Sequence, residues 1–159
     1  MKIEVPTRAH IESVALRMRD EDVREFMALS HAATSAGMAG TVVDRFDGHP
    51  GLIGAYIGDK AVAIGAMVEA RPNVVTLMFF ATDDFASIVW PLTKFIRQRL
   101  FKHYRERGVH RIECVSIEGY DRAHRWIETL GLSHEADMPG FGRGGETFKQ
   151  FAWVRDDFR

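Results

Sequence analysis

The feature that most narrows the fold of this chain is an apolar run, VVTLMFF, at Val74–Phe80. Because the run has no continuous polar face, it predicts a strand that other elements cover on both sides. Pro91 then stands where a helix can begin, and apolar residues recur at helical spacing from Leu92 to Tyr104, ahead of Gly108. A central strand followed by a long amphipathic helix requires a sheet with helices packed against it.

Strand and helix signals alternate along the rest of the chain. The other predicted strands are Ile3–Val5, Leu52–Ile57, Ala61–Val68, His110–Ile117, Leu132–Ala136 and Thr147–Val154. The other predicted helices begin after Thr7, at Asp20 and at Asp121, with a weaker helical segment at 32–46. In the helix from Asp20, we expect a buried side made of Val23, Phe26, Met27 and Leu29. This order predicts the α/β (α+β) class, with a mixed sheet and helices on both faces.

Composition and charge narrow the function classes. Hydrophobic residues make up 46% of the 159 residues and the formal net charge is −1, so we expect one globular domain over residues 1–159 and no nucleic-acid or membrane partner. Cys114 is the only cysteine and the N-terminal stretch lacks the apolar core of a signal peptide, which favours a reducing, cytoplasmic setting. The seven histidines stand at no metal-binding spacing, so no metal site is expected.

The segment PGFGRGGETF, Pro139–Phe148, matches the dinucleotide pattern G-x-G-x-x-G through Gly140, Gly142 and Gly145. In a dinucleotide site, a strand enters the glycine turn and a helix leaves it, so that the helix start holds the pyrophosphate. Here the residues after Gly145 favour a strand. The sequence therefore predicts a loop between the last two strands and no dinucleotide site.

A second segment, AHRWIETLGL at Ala123–Leu132, resembles the fourth helix of the GNAT acyltransferase superfamily. Ala123 matches the family's alanine, and Leu130 and Gly131 match its terminal leucine-glycine. Leu132 stands at the position of the family's phenylalanine. The order of predicted elements is similar to that superfamily over nearly the whole chain.

A narrower resemblance is to GNAT-like proteins of phages and prophages, including internal virion proteins of short-tailed phages. His124, Arg125 and Trp126 match a histidine–arginine–aromatic run that those proteins share. The segment that follows, from Leu132 to Trp153, is also similar to the end of those sequences. The resemblance implies a phage or prophage origin.

The superfamily resemblance implies transfer of an acetyl group from acetyl-CoA to an amine, here of unknown identity. It implies a mostly antiparallel sheet whose fourth and fifth strands, Val74–Phe80 and His110–Ile117 here, splay apart around the donor's pantetheine arm. The pyrophosphate then lies at the start of the next helix. The implied acetyl-CoA positions are Phe80, Ala81, Thr82, Phe85, Ala86, Ser87, Ile88, Val89 and Trp90.

The segment DDFASIVW, Asp83–Trp90, departs from the family's pattern. It has none of the glycines that let a backbone approach a pyrophosphate closely. Asp83 and Asp84 would repel a pyrophosphate that they faced, although they could instead cap the helix start from outside. Ala86 and Ser87 are small enough for a moderately close approach.

The family's catalytic positions are also changed. The fourth strand has no carboxylate to act as general base, and Asp83 is the nearest substitute. The family's proton-donating tyrosine falls at Ile127, which leaves Tyr120 and His124 as candidates. An amine attacks a bound thioester with little acid–base help, so the reaction does not require these residues.

Two further regions are candidates for contacts with other molecules. Phe141 and Arg143 lie in the glycine-rich loop, which in GNAT-like proteins lies near the acceptor, so they could contact an acceptor or a partner. The long helix carries Lys94, Arg97, Arg99, Lys102, Arg105 and Arg107 against Glu106. For that helix we expect a solvated face first, phosphate contact second and nucleic acid third.

The predicted function is thus an acetyl-CoA-dependent N-acetyltransferase. The alternative is a catalytically inactive GNAT-fold protein that serves in a virion or as an interaction module. The changed catalytic positions and the glycine-free segment after the fourth strand motivate that alternative.

Overall fold

The computed structural model describes all 159 residues. Its strands are β1 (Lys2–Glu4), β2 (Leu52–Ile57), β3 (Lys60–Arg71), β4 (Val74–Ala81), β5 (Arg111–Ile117), β6 (Ser133–Met138) and β7 (Phe148–Val154). Its α-helices are α1 (Arg8–Ala15), α2 (Asp20–Ala28), α3 (Ser35–Phe46), α4 (Val89–Phe95), α5 (Phe101–Glu106) and α6 (Asp121–Thr129). Short 3₁₀ turns lie at Asp83–Ser87 and Asp156–Phe158, and a π-helical turn at Ile96–Leu100 joins α4 and α5 into one continuous helix.

The seven strands form one open, mixed sheet in the order β1-β2-β3-β4-β5-β7-β6. Antiparallel ladders join β1 to β2, β2 to β3, β5 to β7 and β6 to β7. β4 and β5 run parallel, and their ladder covers only three residues of each strand, from Val74 opposite Arg111 to Thr76 opposite Glu113. The predicted fold class, a mostly antiparallel sheet with splayed fourth and fifth strands, is therefore confirmed.

The chain forms two compact units. The first comprises residues 1–67 and 78–90, and the second comprises residues 68–77 and 91–159. β3 and β4 each contribute residues to both units.

In the first unit, α1 and α3 begin at hydroxyl caps. The side chain of Thr7 accepts a hydrogen bond from the His10 N–H, and that of Thr34 accepts one from the Gly37 N–H. These caps satisfy amides that would otherwise lack partners at the helix starts. The core of this unit consists of fully buried side chains that include Ile11, Val14, Met38, Phe46, Tyr56, Ile64 and Phe80.

The second unit contains β5, β6 and β7 together with α6 and the continuous helix from Pro91 onward. Pro91 is the third residue of α4, a position where the helix leaves backbone N–H groups unpaired and so tolerates proline. Gly131 follows α6 with a φ of 101°, a backbone conformation that favours glycine and ends the helix as predicted. The core of this unit includes Phe101, Ile112, Ile117, Tyr120, Phe148 and Phe151.

The predicted buried side of α2 is partly wrong. Leu29 lies just beyond the last helical residue and is 46% exposed, because α2 ends at Ala28. Val23, Phe26 and Met27 are half-buried. The buried residues of this helix are Ala28 and, against expectation for a carboxylate, Asp22.

No helix combines the length and the apolar character that crossing a membrane requires. Histidine, cysteine, aspartate and glutamate side chains nowhere gather in threes or more as metal ligands would. Cys114 is a free, buried thiol in β5.

Candidate functional site

In the first unit, the end of β4 is held by residues from the start of α2. Asp22 Oδ2 accepts a hydrogen bond from the Ala81 N–H at 2.9 Å, and the Arg19 N–H donates to the Ala81 carbonyl at 2.9 Å. The Arg19 guanidinium donates to the two carboxylate oxygens of Asp22, both at 3.0 Å. We call this arrangement of Arg19, Asp22 and Ala81 the β4 clamp. It occupies both backbone groups of Ala81 from within the chain.

Because the β4 clamp is buried, each of its two charges needs the other as a partner. Arg19 and Asp22 are both buried, and the Arg19 guanidinium carbon lies 4.7 Å from the ring centroid of Phe85 and 5.9 Å from that of Phe79. Burial takes both charges out of water, and the paired hydrogen bonds offset that cost. Removing either partner would leave the other charge buried without compensation. The clamp therefore fixes the direction in which β4 enters the following turn.

The turn after β4, residues 82–88, uses several of its own amides internally. The Asp84 N–H donates to Thr82 Oγ1 at 3.3 Å, and the Phe85 N–H donates to the Thr82 carbonyl at 3.1 Å. The Ile88 N–H donates to the Phe85 carbonyl at 3.0 Å. An anion cradle requires amides that point outward without a partner, so these three amides do not contribute to one.

The charge of this turn is partly neutralised. Lys60 Nζ lies 2.7 Å from Asp84 Oδ2, and both side chains are exposed. The hydrogen bond from Lys60 holds the pKa of Asp84 below its ordinary value. The repulsion that the sequence predicts between Asp84 and a bound anion is therefore reduced by a partner that is distant in sequence.

The nine predicted acetyl-CoA positions differ widely in exposure. Phe80, Ala81, Thr82, Phe85 and Ile88 are buried, and Val89 is half-buried. Phe80 packs against Phe26 and Phe46 within the first unit. The exposed positions are Ala86, Ser87 and Trp90, and Trp90 is 76% exposed. A ligand that approaches the turn from solvent would meet these three residues first.

In the second unit, β5 carries a buried hydroxyl without a partner. Ser116 is 2% exposed, and its Oγ has no hydrogen-bond partner. Ser116 lies three residues beyond Glu113, where the ladder with β4 ends. A buried hydroxyl that lacks a partner costs about 1–3 kcal/mol, and a ligand that supplies one removes that cost.

Two candidate catalytic residues, Tyr120 and His124, come together at the start of α6. The His124 N–H donates to the Tyr120 carbonyl at 3.1 Å, and Tyr120 is 1% exposed. His124 Nε2 lies 3.0 Å from the Ile117 carbonyl, and burial lowers the pKa of His124. The ring is therefore neutral near pH 7, with the proton on the nitrogen that faces the carbonyl. In this position, His124 joins α6 to the end of β5.

The third candidate, Asp83, belongs to the first unit and is exposed on the 3₁₀ turn. Ile127, at the position of the family's tyrosine, is buried on α6. The catalytic roles of Asp83, Tyr120 and His124 stay predictions.

The glycine-rich loop joins β6 to β7, which confirms that no helix follows Gly145. The Gly142 N–H donates to the Glu146 carbonyl at 3.0 Å, and the Gly144 N–H donates to the Glu146 carboxylate at 2.9 Å. The loop therefore binds a carboxylate from its own chain. Phe141 is 44% exposed and packs on Phe148.

Sequence reasoning missed one residue in each unit. Asp22 gave no signal, because carboxylates at a helix start usually face water. Ser116 gave no signal, because an alternating strand pattern does not tell which polar residue lacks a partner. Arg19 could have been noticed only together with Asp22, three residues later, as a local charge pair.

Comparisons with known proteins place the fold. No protein-family profile and no curated protein sequence matches this chain. A GNAT-family acetyltransferase from Bacillus anthracis matches it with a TM-score of 0.71 at 13% identity, over 96% of this chain and 93% of that one. The ribosomal-protein-S18-alanine N-acetyltransferase from Escherichia coli matches with a TM-score of 0.69 at 13% identity, over 96% and 92%.

A third match is the ribosomal-protein-alanine N-acetyltransferase from Brucella melitensis. Its TM-score is 0.68 at 14% identity, and the match covers 97% of this chain and 99% of that one. These matches show that the chain has the fold of GNAT acetyltransferases. At these identities the likeness concerns the fold alone.

Taken separately, the two units differ in how their residues fit parts of an acyl-CoA donor. The unpartnered hydroxyl of Ser116 suits the amide-bearing arm of such a donor, since that arm supplies hydrogen-bonding groups. Ala86 and Ser87 are small and exposed, so they leave room for a phosphate beside the turn. The turn does not offer the glycine-lined amide cradle of the family, and the β4 clamp leaves no backbone group of Ala81 for the arm.

Proposed function

We propose that this protein is an N-acyltransferase that moves an acetyl group from acetyl-CoA to an amine. The observation that carries the proposal is the unpartnered, buried hydroxyl of Ser116, just beyond the point where the β4–β5 ladder ends. The likeness of the fold to acetyltransferases supports it. Because two of the similar structures are ribosomal-protein-alanine N-acetyltransferases, the amine at a protein N-terminus is the acceptor class to test first.

In this proposal each residue has a limited task. Ser116 bonds an amide of the donor's arm, and Ala86 and Ser87 admit its phosphates. Acetyl-CoA supplies an activated thioester, so holding the amine and the thioester in line provides most of the rate. Asp83, the first carboxylate after β4, accepts the amine's proton, and Tyr120 is the proposed proton donor. His124, whose ring N–H faces the Ile117 carbonyl, holds α6 to the end of β5. Phe141 and Arg143 contact the acceptor.

The test is calorimetric titration of acetyl-CoA into the wild-type protein and Ser116→Ala. We expect saturable binding of the wild type below about 1 mM, the upper end of ordinary enzyme–substrate affinities. One lost hydrogen bond in Ser116→Ala should weaken binding roughly 2- to 12-fold. Thiol release from acetyl-CoA, measured with a peptide that has a free N-terminal alanine, then reports transfer.

The matched control is Ser133→Ala, which removes the same hydroxyl from an exposed position in β6. This variant should bind acetyl-CoA like the wild type. In the absence of ligand, Ser116→Ala should instead be up to about 1 kcal/mol more stable, because it removes an unsatisfied polar group. Absence of wild-type binding at about 1 mM would refute the proposal.

A second candidate function is that of a catalytically inactive GNAT-fold protein, of phage or prophage origin, that serves in a virion or as an interaction module. The observation that favours it is the internal use of the backbone: the β4 clamp occupies Ala81, and the turn bonds the amides of Asp84, Phe85 and Ile88. Mass spectrometry of the purified protein under native conditions separates the two candidates. Retained CoA supports the enzyme, whereas presence in purified virions without CoA supports the alternative.

A further inference from the structure

The continuous helix in the second unit carries an unusually basic surface. Six exposed basic residues lie within 94–107, and the single acid in that stretch, Glu106, is 3.7 Å from Lys102. The chain as a whole has 21 basic and 22 acidic residues. The positive charge of this helix therefore stands out against a nearly neutral protein. Its apolar side, with Leu92, Ile96 and Phe101, is buried.

The π-helical turn at Ile96–Leu100 brings four of these residues into line. The Phe101 N–H donates to the Ile96 carbonyl, which adds one residue to that turn compared with an α-helix. In a regular α-helix, Lys94, Arg97, Lys102 and Arg105 would spread over about 140° of the circumference. One extra residue narrows this spread to about 80°. We call these four residues the basic stripe.

Side-chain contacts agree with this alignment. Arg105 Nη2 donates a long hydrogen bond of 3.4 Å to the carbonyl of Arg97, eight residues earlier. Arg105 Nε donates to the Phe101 carbonyl at 3.3 Å, and its guanidinium carbon lies 5.0 Å from the ring centroid of Trp153. Arg105 is thus directed along the stripe, which lowers the entropy that it loses when an anion binds.

We propose that the basic stripe binds the phosphate backbone of a nucleic acid. The stripe extends over about 16 Å of helix, which equals the axial rise of about five phosphates of one strand. Two of its four residues are arginines, whose planar guanidinium groups match phosphate oxygens in pairs. The sequence alone predicts that this face of the helix only contacts water. The alignment favours a nucleic acid instead, because a linear polyanion requires a linear array of charges.

The composition of the helix favours a nucleic acid over a membrane surface or a protein as the partner of the basic stripe. A helix that lies on a membrane inserts apolar side chains beside its basic ones, whereas the apolar side of this helix is buried in the second unit. Protein interfaces are enriched in aromatic residues and depleted in lysine. Trp90, at the start of α4, is the one large exposed hydrophobic side chain of this helix, and none lies within 91–107, where the basic stripe is. Phosphate contacts need neither feature.

The test measures binding of a fluorescently labelled 20-base-pair DNA duplex, and of the corresponding single strand, to the full-length protein over a range of salt concentrations. If four phosphates are neutralised, the logarithm of the duplex binding constant should fall with the logarithm of salt with a slope of about −3.6. The double variant Arg97→Glu/Lys102→Glu should lose more than about tenfold in affinity at low salt and about 2 units of slope. Thermal unfolding checks that this variant remains folded.

The matched control is Arg122→Glu/Arg125→Glu, which makes the same charge change at two exposed positions on α6 in the same unit. The control should retain most of the wild-type affinity. Equal losses in the two double variants, or no salt-dependent binding of the wild type, would overturn the proposal. Competition by polyglutamate as strong as that by unlabelled DNA would also overturn it, since the stripe would then be a general anion surface. Tighter binding of the single strand than of the duplex would support the proposal and identify the preferred form.

Discussion

The turn after β4 and the glycine-rich loop before β7 differ sharply in glycine content, yet their backbone amides form similar hydrogen bonds. Residues 82–88 contain no glycine, whereas the loop 139–147 contains four. In both segments, backbone amides donate to acceptors of the same segment: to Thr82 and Phe85 in the turn, and to Gly142 and Glu146 in the loop. Glycine content therefore does not tell whether a segment can bind a phosphate.

The two segments differ in the charge of their acceptors. The turn bonds its amides to a hydroxyl and to carbonyls, and its Asp84 is directed to Lys60. The loop directs the Gly144 amide to the Glu146 carboxylate, which is an anion of the chain itself. The glycine-rich loop thus already binds an anion, which is the kind of group that its glycine pattern suggests. The amides of the turn have only neutral acceptors.

The largest loss of stability is expected in the β4 clamp, where β4 leads into the turn. Asp22→Ala would leave Arg19 buried without a counter-charge and the Ala81 N–H without an acceptor. We expect the free energy of unfolding to fall by about 3–5 kcal/mol, measured by urea denaturation. The control is Asp20→Ala at the exposed start of α2, which should cost at most about 1 kcal/mol. If the two variants were equally mild, the β4 clamp would not hold the turn.

A smaller effect is expected in the glycine-rich loop. Glu146→Ala removes the acceptor of the Gly144 N–H, so the unfolding free energy should fall by about 0.5–1.5 kcal/mol. The sharper measurement is hydrogen exchange, in which the Gly144 amide should exchange faster than in the wild type. Glu146→Gln, which keeps an oxygen acceptor, is the control and should protect that amide. An unchanged exchange rate in Glu146→Ala would show that the carboxylate does not order the loop.

The smallest effect concerns the charge on the turn. Lys60 holds the pKa of Asp84 below its ordinary value of 3.8, so Lys60→Met should raise that pKa, as measured by a carboxyl-carbon NMR titration. Because the folded-state pKa is the lower one, the pair contributes stability above pH 3.8 and loses it as the pH falls through the folded-state pKa. Lys60→Arg keeps the charge and should keep the pKa low. A pKa of Asp84 that does not change in Lys60→Met would mean that the pair does not form in solution.

Much of the fold could be predicted from particular segments. VVTLMFF became β4, and the predicted strands Leu52–Ile57 and Ala61–Val68 became β2 and β3, which Gly58 and Asp59 join. Thr7 and Gly131 were correctly placed at a helix start and a helix end, since capping depends on neighbours in sequence. Leu29 was misplaced, because helix periodicity does not show at which residue a helix ends.

The candidate site was less predictable. The positions implied for acetyl-CoA lie on one continuous stretch, but their exposure ranges from the fully buried Phe80 to the largely exposed Trp90. The buried Asp22 and the unpartnered Ser116 were not predicted, because both properties depend on elements far away in the sequence. The π-helical turn was not predicted either, because the spacing of the apolar residues fits a regular α-helix nearly as well.

By itself, the sequence determined which segments become strands and helices, where several of them begin and end, and that the glycine-rich segment is a loop. These outcomes follow from local patterns of apolar residues, caps and turn formers. Only the tertiary structure decided that Asp22 closes the end of β4, that Ser116 lacks a partner and that four basic residues form a stripe. Hydrogen-bond partners that are distant in sequence, and the packing of one helix, set these features. A linear pattern does not specify them.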